Sequence, residues 1–124
     1  MGYRSDVAIV FYPDKPEDMP LLKLFVQENL PDKFEERMRD SDRAAAGLPS
    51  YLIFRGDDLK WYDTYDDVRV YETLFDEWED KFMDDNGQLK FHYEFVRIGE
   101  EPADVEERGT DSHILYVSRT IVED

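Results

Sequence analysis

The run VAIVFY, residues 7 to 12, puts β-branched or aromatic side chains on both alternating phases. A strand with one wet face alternates apolar with polar, so a run without a polar phase predicts a strand covered on both faces and interior to its sheet. Pro13 closes it. A second long run, LKFHYEFVRI at residues 89 to 98, carries Leu89, Phe91, Tyr93 and Phe95 on one phase before shifting to Val96 and Ile98. The shift predicts a bulge or burial on both faces, with this strand beside the first or one strand away.

Helical spacing appears between these runs. In MPLLKLFVQENL, Leu21, Leu24, Phe25 and Leu30 fall near one face, with Asp18 placed to cap the helix and Pro20 in its first turn. Pro31 ends that pattern, and residues 32 to 47 read as a second short helix directing Phe34 and Met38 inward before Gly47 and Pro49. YLIFRGDDLKWY reads as a hairpin of Tyr51 to Arg55 and Leu59 to Tyr62 around a Gly-Asp-Asp turn. On a 100° wheel Val68, Tyr71, Leu74, Phe75, Trp78 and Phe82 then gather into one apolar arc, and Asn86-Gly87 is a stop signal. HILYVSRTIV, after the acidic loop GEEPADVEERGTDS, reads as the last strand. The order β, α, β, β, α, β, β predicts a single α+β domain over residues 1 to 124, with the ferredoxin-like βαββαβ order, an added C-terminal strand, and helices on one face of an antiparallel sheet.

Charge narrows the partners. Fifteen Lys and Arg stand against 31 Asp and Glu, a formal net charge of -16, which opposes direct binding to nucleic acid or anionic lipid and predicts a basic or neutral protein partner. Aromatic residues make up 15% of the chain, so the charge belongs to a folded body rather than an acidic tail. It is concentrated: residues 63 to 85 hold ten acids and two bases, and residues 99 to 111 hold six acids and one base. The absence of cysteine excludes disulfides and thiolate metal sites. The N-terminal apolar run is too short for a signal or a membrane span, which predicts a soluble, cytoplasmic chain.

Few residues offer catalytic chemistry. Asp57 and Asp58 at a turn could hold Mg²⁺ for phosphoryl chemistry if a third carboxylate joined them, but Gly, Asp and Asp are also ordinary turn formers. His92 and His113 lie on different expected strands with no ligand-spaced partner. There is no Gly-x-Ser-x-Gly elbow and no phosphate-cradling glycine loop, and no cofactor is expected. Phe91, Tyr93 and Phe95 alternate as the stacking aromatics of an RNA-binding sheet do, without the flanking bases and small residues of that signature, so they read as a buried aromatic face. Trp61 is either core or an exposed contact.

Opposite the apolar arc, Glu72, Asp76 and Asp80 lie four residues apart, flanked by Glu77, Glu79 and Asp84. Like charges at that spacing destabilise a helix, and their separation of about 6 Å approaches that of phosphates along a nucleic-acid strand. The face reads either as a solvated side or as a partner-binding, nucleic-acid-mimicking surface. The expected partner-binding set is Glu72, Asp76, Glu79, Asp80 and Asp84 from this helix, Glu100, Glu101, Asp104, Glu106 and Glu107 from the acidic loop, and Trp61.

The opening MGYRSDVA, the mid-chain LKWYDTYDDV, and FVRIGEE followed by DVEERG resemble a family of small acidic proteins encoded by tailed phages and prophages. The likeness covers both ends and the middle, and no residue role carries over. It implies a phage accessory protein in a bacterial cytoplasm, acting on a host component. Together with the charge, the expectation is a non-enzymatic protein that binds, and inhibits or redirects, a host nucleic-acid-handling or defence protein. A small Mg²⁺-dependent hydrolase using Asp57 and Asp58, and an assembly protein that homodimerises through its sheet, are the alternatives.

Overall fold

The structure, a computed structural model, describes residues 3–38, 50–62, 64–101, 103–110, 114–118 and 120–123. Among these residues five strands form one antiparallel sheet: β1 (Ser5–Pro13), β2 (Glu35–Arg37), β3 (Tyr51–Leu59), β4 (Phe91–Ile98) and β5 (Val105–Gly109), in the order β2-β3-β1-β4-β5. Among the described residues three α-helices accompany it: α1 (Met19–Asn29), α2 (Asp66–Asp76) and α3 (Trp78–Phe82). A separate two-stranded sheet holds β6 (Leu115–Ser118) and β7 (Thr120–Glu123). None of the described helices is long and apolar enough to cross a membrane.

The apolar β1 occupies the middle of the sheet, with Ile9 facing Phe54 of β3 on one side and Phe95 of β4 on the other. Its two phases seed two cores. Val7, Ile9 and Phe11 pack with the helices and with Phe91, Tyr93 and Phe95; Ala8, Val10 and Tyr12 pack with Tyr51, Ile53, Val96 and the hairpin residues Ile114, Leu115 and Ile121. The phase shift in β4 is therefore burial on both faces, and its pairing with β1 runs without a break. Glu94, 3% exposed on the hairpin side, accepts hydrogen bonds from the backbone N–H groups of Ile114 (3.1 Å) and Leu115 (3.0 Å). That contact satisfies a carboxylate that burial would otherwise penalise heavily.

Several elements differ from their sequence reading. Tyr51–Leu59 is one strand: Asp57 and Asp58 form a bulge opposite Asp6, with Val7 facing Gly56, Ser5 facing Leu59, and Asp58 at φ 58°. The Asp58 N–H donates to Asp6 Oδ1 at 2.9 Å, and Arg4 Nη1 donates to the Asp58 carbonyl at 3.3 Å, which holds the extra residue in place. Of the expected helix at residues 32 to 47, Glu35–Arg37 is edge strand β2, Met38 is 79% exposed, and residues 39 to 49 lie outside the described set. In α1 the buried stripe is Met19, Leu22 and Val26, while Leu21 and Leu24 are each 51% exposed. The sequence offers two apolar stripes there, and contact with the sheet selects one. Asp18 stands at the N-cap without a side-chain capping bond.

The apolar arc from Val68 to Phe82 faces the core as its spacing predicts, but the helix breaks at Glu77 (φ -100°, ψ 7°), and α3 ends at Phe82, before Asn86-Gly87. The segment expected as an acidic loop contains β5, and the expected last strand is the β6–β7 hairpin, which covers the sheet face opposite the helices instead of extending the sheet.

Candidate partner-binding surface

The two acid-rich segments, distant in sequence, lie side by side. The amphipathic α2 presents its outer flank to β5, and Arg108 of β5 bridges the gap: its Nη1 donates to Glu72 Oε2 at 3.0 Å and its Nη2 to Asp76 Oδ1 at 2.8 Å. The guanidinium also lies 5.5 Å from the centroid of the Phe75 ring, a cation–π arrangement on a buried aromatic. Arg108 is thereby held by both layers.

A second cluster closes the end of this seam. Arg97 of β4 donates to Asp104 through Nη2 (2.7 Å) and Nη1 (3.2 Å), to Glu106 through Nε (3.2 Å), and to the Ser5 hydroxyl through Nη1 (3.1 Å). The Tyr3 hydroxyl donates to Asp104 Oδ2 at 2.6 Å and accepts from the Glu101 N–H at 3.2 Å. These donors, Arg97 first and Tyr3 second, hold the Asp104 carboxyl down at about 2, and the same bond to Asp104 pushes the Tyr3 phenol up. Gly99 makes room for the cluster, because a Cβ there would run into Asp104 Oδ2 and the Tyr3 hydroxyl.

Two clefts flank the Arg108 bridge. One, about 580 Å³, is lined by Tyr3, Trp61, Tyr62, Arg69, Glu72, Asp76, Arg97, Asp104 and Glu106, among others. The other, about 470 Å³, is lined by Phe75, Asp76, Trp78, Glu79, Asp80, Leu89, Tyr93, Arg108, Gly109 and Thr110. They meet at Asp76, and together their walls carry six carboxylates against three guanidiniums.

The expected partner-binding residues therefore divide. Glu72, Asp76, Asp104 and Glu106 are on the seam but already hold Arg108 or Arg97. Glu100 accepts from the Arg4 N–H at 2.9 Å, and Asp84 accepts from the N–H groups of Asn86 and Gln88 in the turn after α3. Glu79 and Asp80 are exposed in the second cleft with no ion pair among the described residues; Glu101 and Glu107 are exposed as well. Trp61 packs against the core, its ring 5.7 Å from that of Tyr71 and 6.0 Å from that of Phe95. Because α2 and α3 are separated at Glu77 and Arg108 pairs with two of its teeth, the acidic comb is not a uniform row of free charges.

Asp57 and Asp58 sit in the β3 bulge, and no group of three or more His, Asp or Glu side chains gathers in a metal-holding cluster among the described residues. His92 stacks on Tyr12, with Nδ1 3.2 Å from Thr110 Oγ1 and Nε2 3.1 Å from Asp14 Oδ1; His113 lies outside the described set. The organising residues that sequence reasoning passed over are Arg97, Arg108 and Tyr3. Arg108 had a signal: it is the lone base in the acidic run 99 to 111. The chain matches no protein-family model, no curated protein and no solved structure.

Proposed function

We propose that this chain is a non-enzymatic binding protein that engages a basic protein partner along the seam between α2–α3 and β5. The observation that carries this reading is the convergence of the two acid-rich segments on one side of the fold, where six carboxylates line adjoining clefts and Glu79 and Asp80 remain without a counter-ion among the described residues. A surface of this sign steers basic partners and repels nucleic acid and anionic lipid. The setting comes from the sequence resemblance alone: a phage-encoded accessory protein in the bacterial cytoplasm, binding and inhibiting or redirecting a host nucleic-acid-handling or defence protein. The strand order β2-β3-β1-β4, with α1 and α2–α3 on the crossovers, supports reading the first four strands as a ferredoxin-like unit within one domain, to which β5 and the hairpin are additions.

The test is capture of basic proteins from bacterial lysate at low and high salt, by wild-type protein and by the Glu79→Gln/Asp80→Asn variant. A specific basic protein retained at low salt, released at high salt and weakened by the variant is the expected result. Equal capture by the variant, with an unchanged salt profile, overturns the reading.

A further inference from the structure

Strand β5 ends the sheet, and among the described residues no strand pairs with its outer side. The Thr110 N–H donates to the Tyr93 carbonyl at 3.0 Å, and the next pairs inward along the same register are Phe95 with Arg108 and Arg97 with Glu106. Antiparallel pairs alternate between exchanging backbone hydrogen bonds and not doing so. Arg108 and Glu106 therefore turn their backbone groups toward β4, whereas Val105, Glu107 and Gly109 turn theirs outward. The Val105 N–H agrees with this phase, since it donates to the Ala103 carbonyl at 3.1 Å and not to β4. At Glu107 and Gly109 the outward N–H and C=O have no bonding partner among the described residues.

We infer that this edge takes up an extended, Lys- or Arg-bearing segment of the partner as a sixth strand, an inference that rests on the acidic-surface reading above. Main-chain bonds to Glu107 and Gly109 supply the docking, as in other strand additions to a sheet edge. Side chains of a strand alternate between faces, so the incoming residue beside Arg108 points to the helix side, where the cleft holding Glu79 and Asp80 opens against Arg108, Gly109 and Thr110. Arg108 is already engaged by Glu72 and Asp76, which leaves Glu79 and Asp80 to meet a cation there. A second copy of this chain is the poorer occupant by charge: each chain carries -16, and a ladder centred on Glu107 would set that carboxylate against its own copy.

The probe is a blocked peptide of alternating Lys and Val, about nine residues long, titrated into the full chain at low salt. Amide exchange read residue by residue should slow about tenfold or more at Glu107 and Gly109. Glu107→Pro, which removes an N–H that β4 does not use, should weaken the peptide about tenfold while leaving the melting temperature near wild type. Protection confined to other amides, absence of peptide binding, or concentration-dependent dimers in sedimentation that protect the same two amides without peptide would each overturn the inference. Wild-type affinity in a folded Glu107→Pro, with affinity lost in Glu79→Gln/Asp80→Asn, overturns the added strand and spares the acidic surface. Unchanged affinity and salt slope in the charge variant overturns both.

Discussion

Trp78 is the side chain on which the helix layer hangs. It is 1% exposed, its ring stacks on Phe11 of the central strand at 5.5 Å, and its Nε1–H donates to the Phe91 carbonyl at 2.9 Å. Trp78→Ala removes a large buried ring and its hydrogen bond to the Phe91 carbonyl, so it should cost about 3–5 kcal/mol in urea unfolding; an unchanged midpoint would contradict this packing. Gly99 is the opposite case, a residue that matters for what it lacks. Gly99→Ala should displace Asp104 and Tyr3 and cost about 1–3 kcal/mol as an overpacked contact, with Tyr3→Phe in the same background recovering part of the clash by removing the hydroxyl. The Asp104 carboxyl also sets a pH dependence. Because folding lowers it from 3.8 to about 2, its contribution is fully present above pH 3.8 and disappears as pH falls toward 2. Asp104→Asn should flatten the stability profile across that window, and an unaltered acid limb would show that the Arg97 cluster is not formed in solution.

At the scale of elements, α2 and β5 are coupled by Arg108 more than by apolar contact. Arg108→Gln keeps much of the stem but loses both carboxylate pairs and the position over Phe75. The partly exposed pairs and the ring contact together should be worth about 1–2 kcal/mol, and Glu72 and Asp76, four residues apart, would then repel. The variant should therefore be less stable and regain stability as salt is added, the reverse of what loss of an attractive pair alone would give. By the same logic Glu72→Gln/Asp76→Asn should destabilise the protein, since those acids hold a guanidinium, while Glu79→Gln/Asp80→Asn should leave stability unchanged or slightly raised. Equal behaviour of the two double variants in thermal unfolding would contradict this division.

For the whole molecule, the charge distribution and the sheet edge act together. An exposed edge invites uncontrolled pairing, and natural sheets protect such edges with charge. Here β5 carries Glu106, Glu107 and Arg108, and the chain's formal net charge of -16 disfavours pairing between copies. On the reading proposed above, the charge that discourages self-pairing is also the charge that would select a basic strand. Below about 0.05 M salt the protein should remain monomeric in light scattering, since the Debye length then exceeds about 10 Å and copies repel most strongly; association that strengthens as salt is lowered would contradict this.

The sequence by itself determined the elements whose pattern is redundant. A two-phase apolar run such as Val7 to Tyr12 has no stable place except between covered faces, and β1 is central; Val68, Tyr71, Leu74, Phe75 and Trp78 share one face at helical period, and all are buried. Where local signals were degenerate, tertiary contact decided. Gly-Asp-Asp suits a turn and a bulge equally, and pairing with β1, with the Asp58 N–H bonded to Asp6 Oδ1, made it a bulge. Leu21 and Leu24 form as good a stripe as Leu22 and Val26 until a sheet is laid against one of them. Val105–Gly109, within the acidic run, is a strand because it pairs with β4, a non-local contact that no window of residues contains. The candidate surface was legible as a composition and not as a geometry: sequence counts acids, but which of them are spent on Arg97 and Arg108 depends on segments that only folding brings within 3 Å or so of one another.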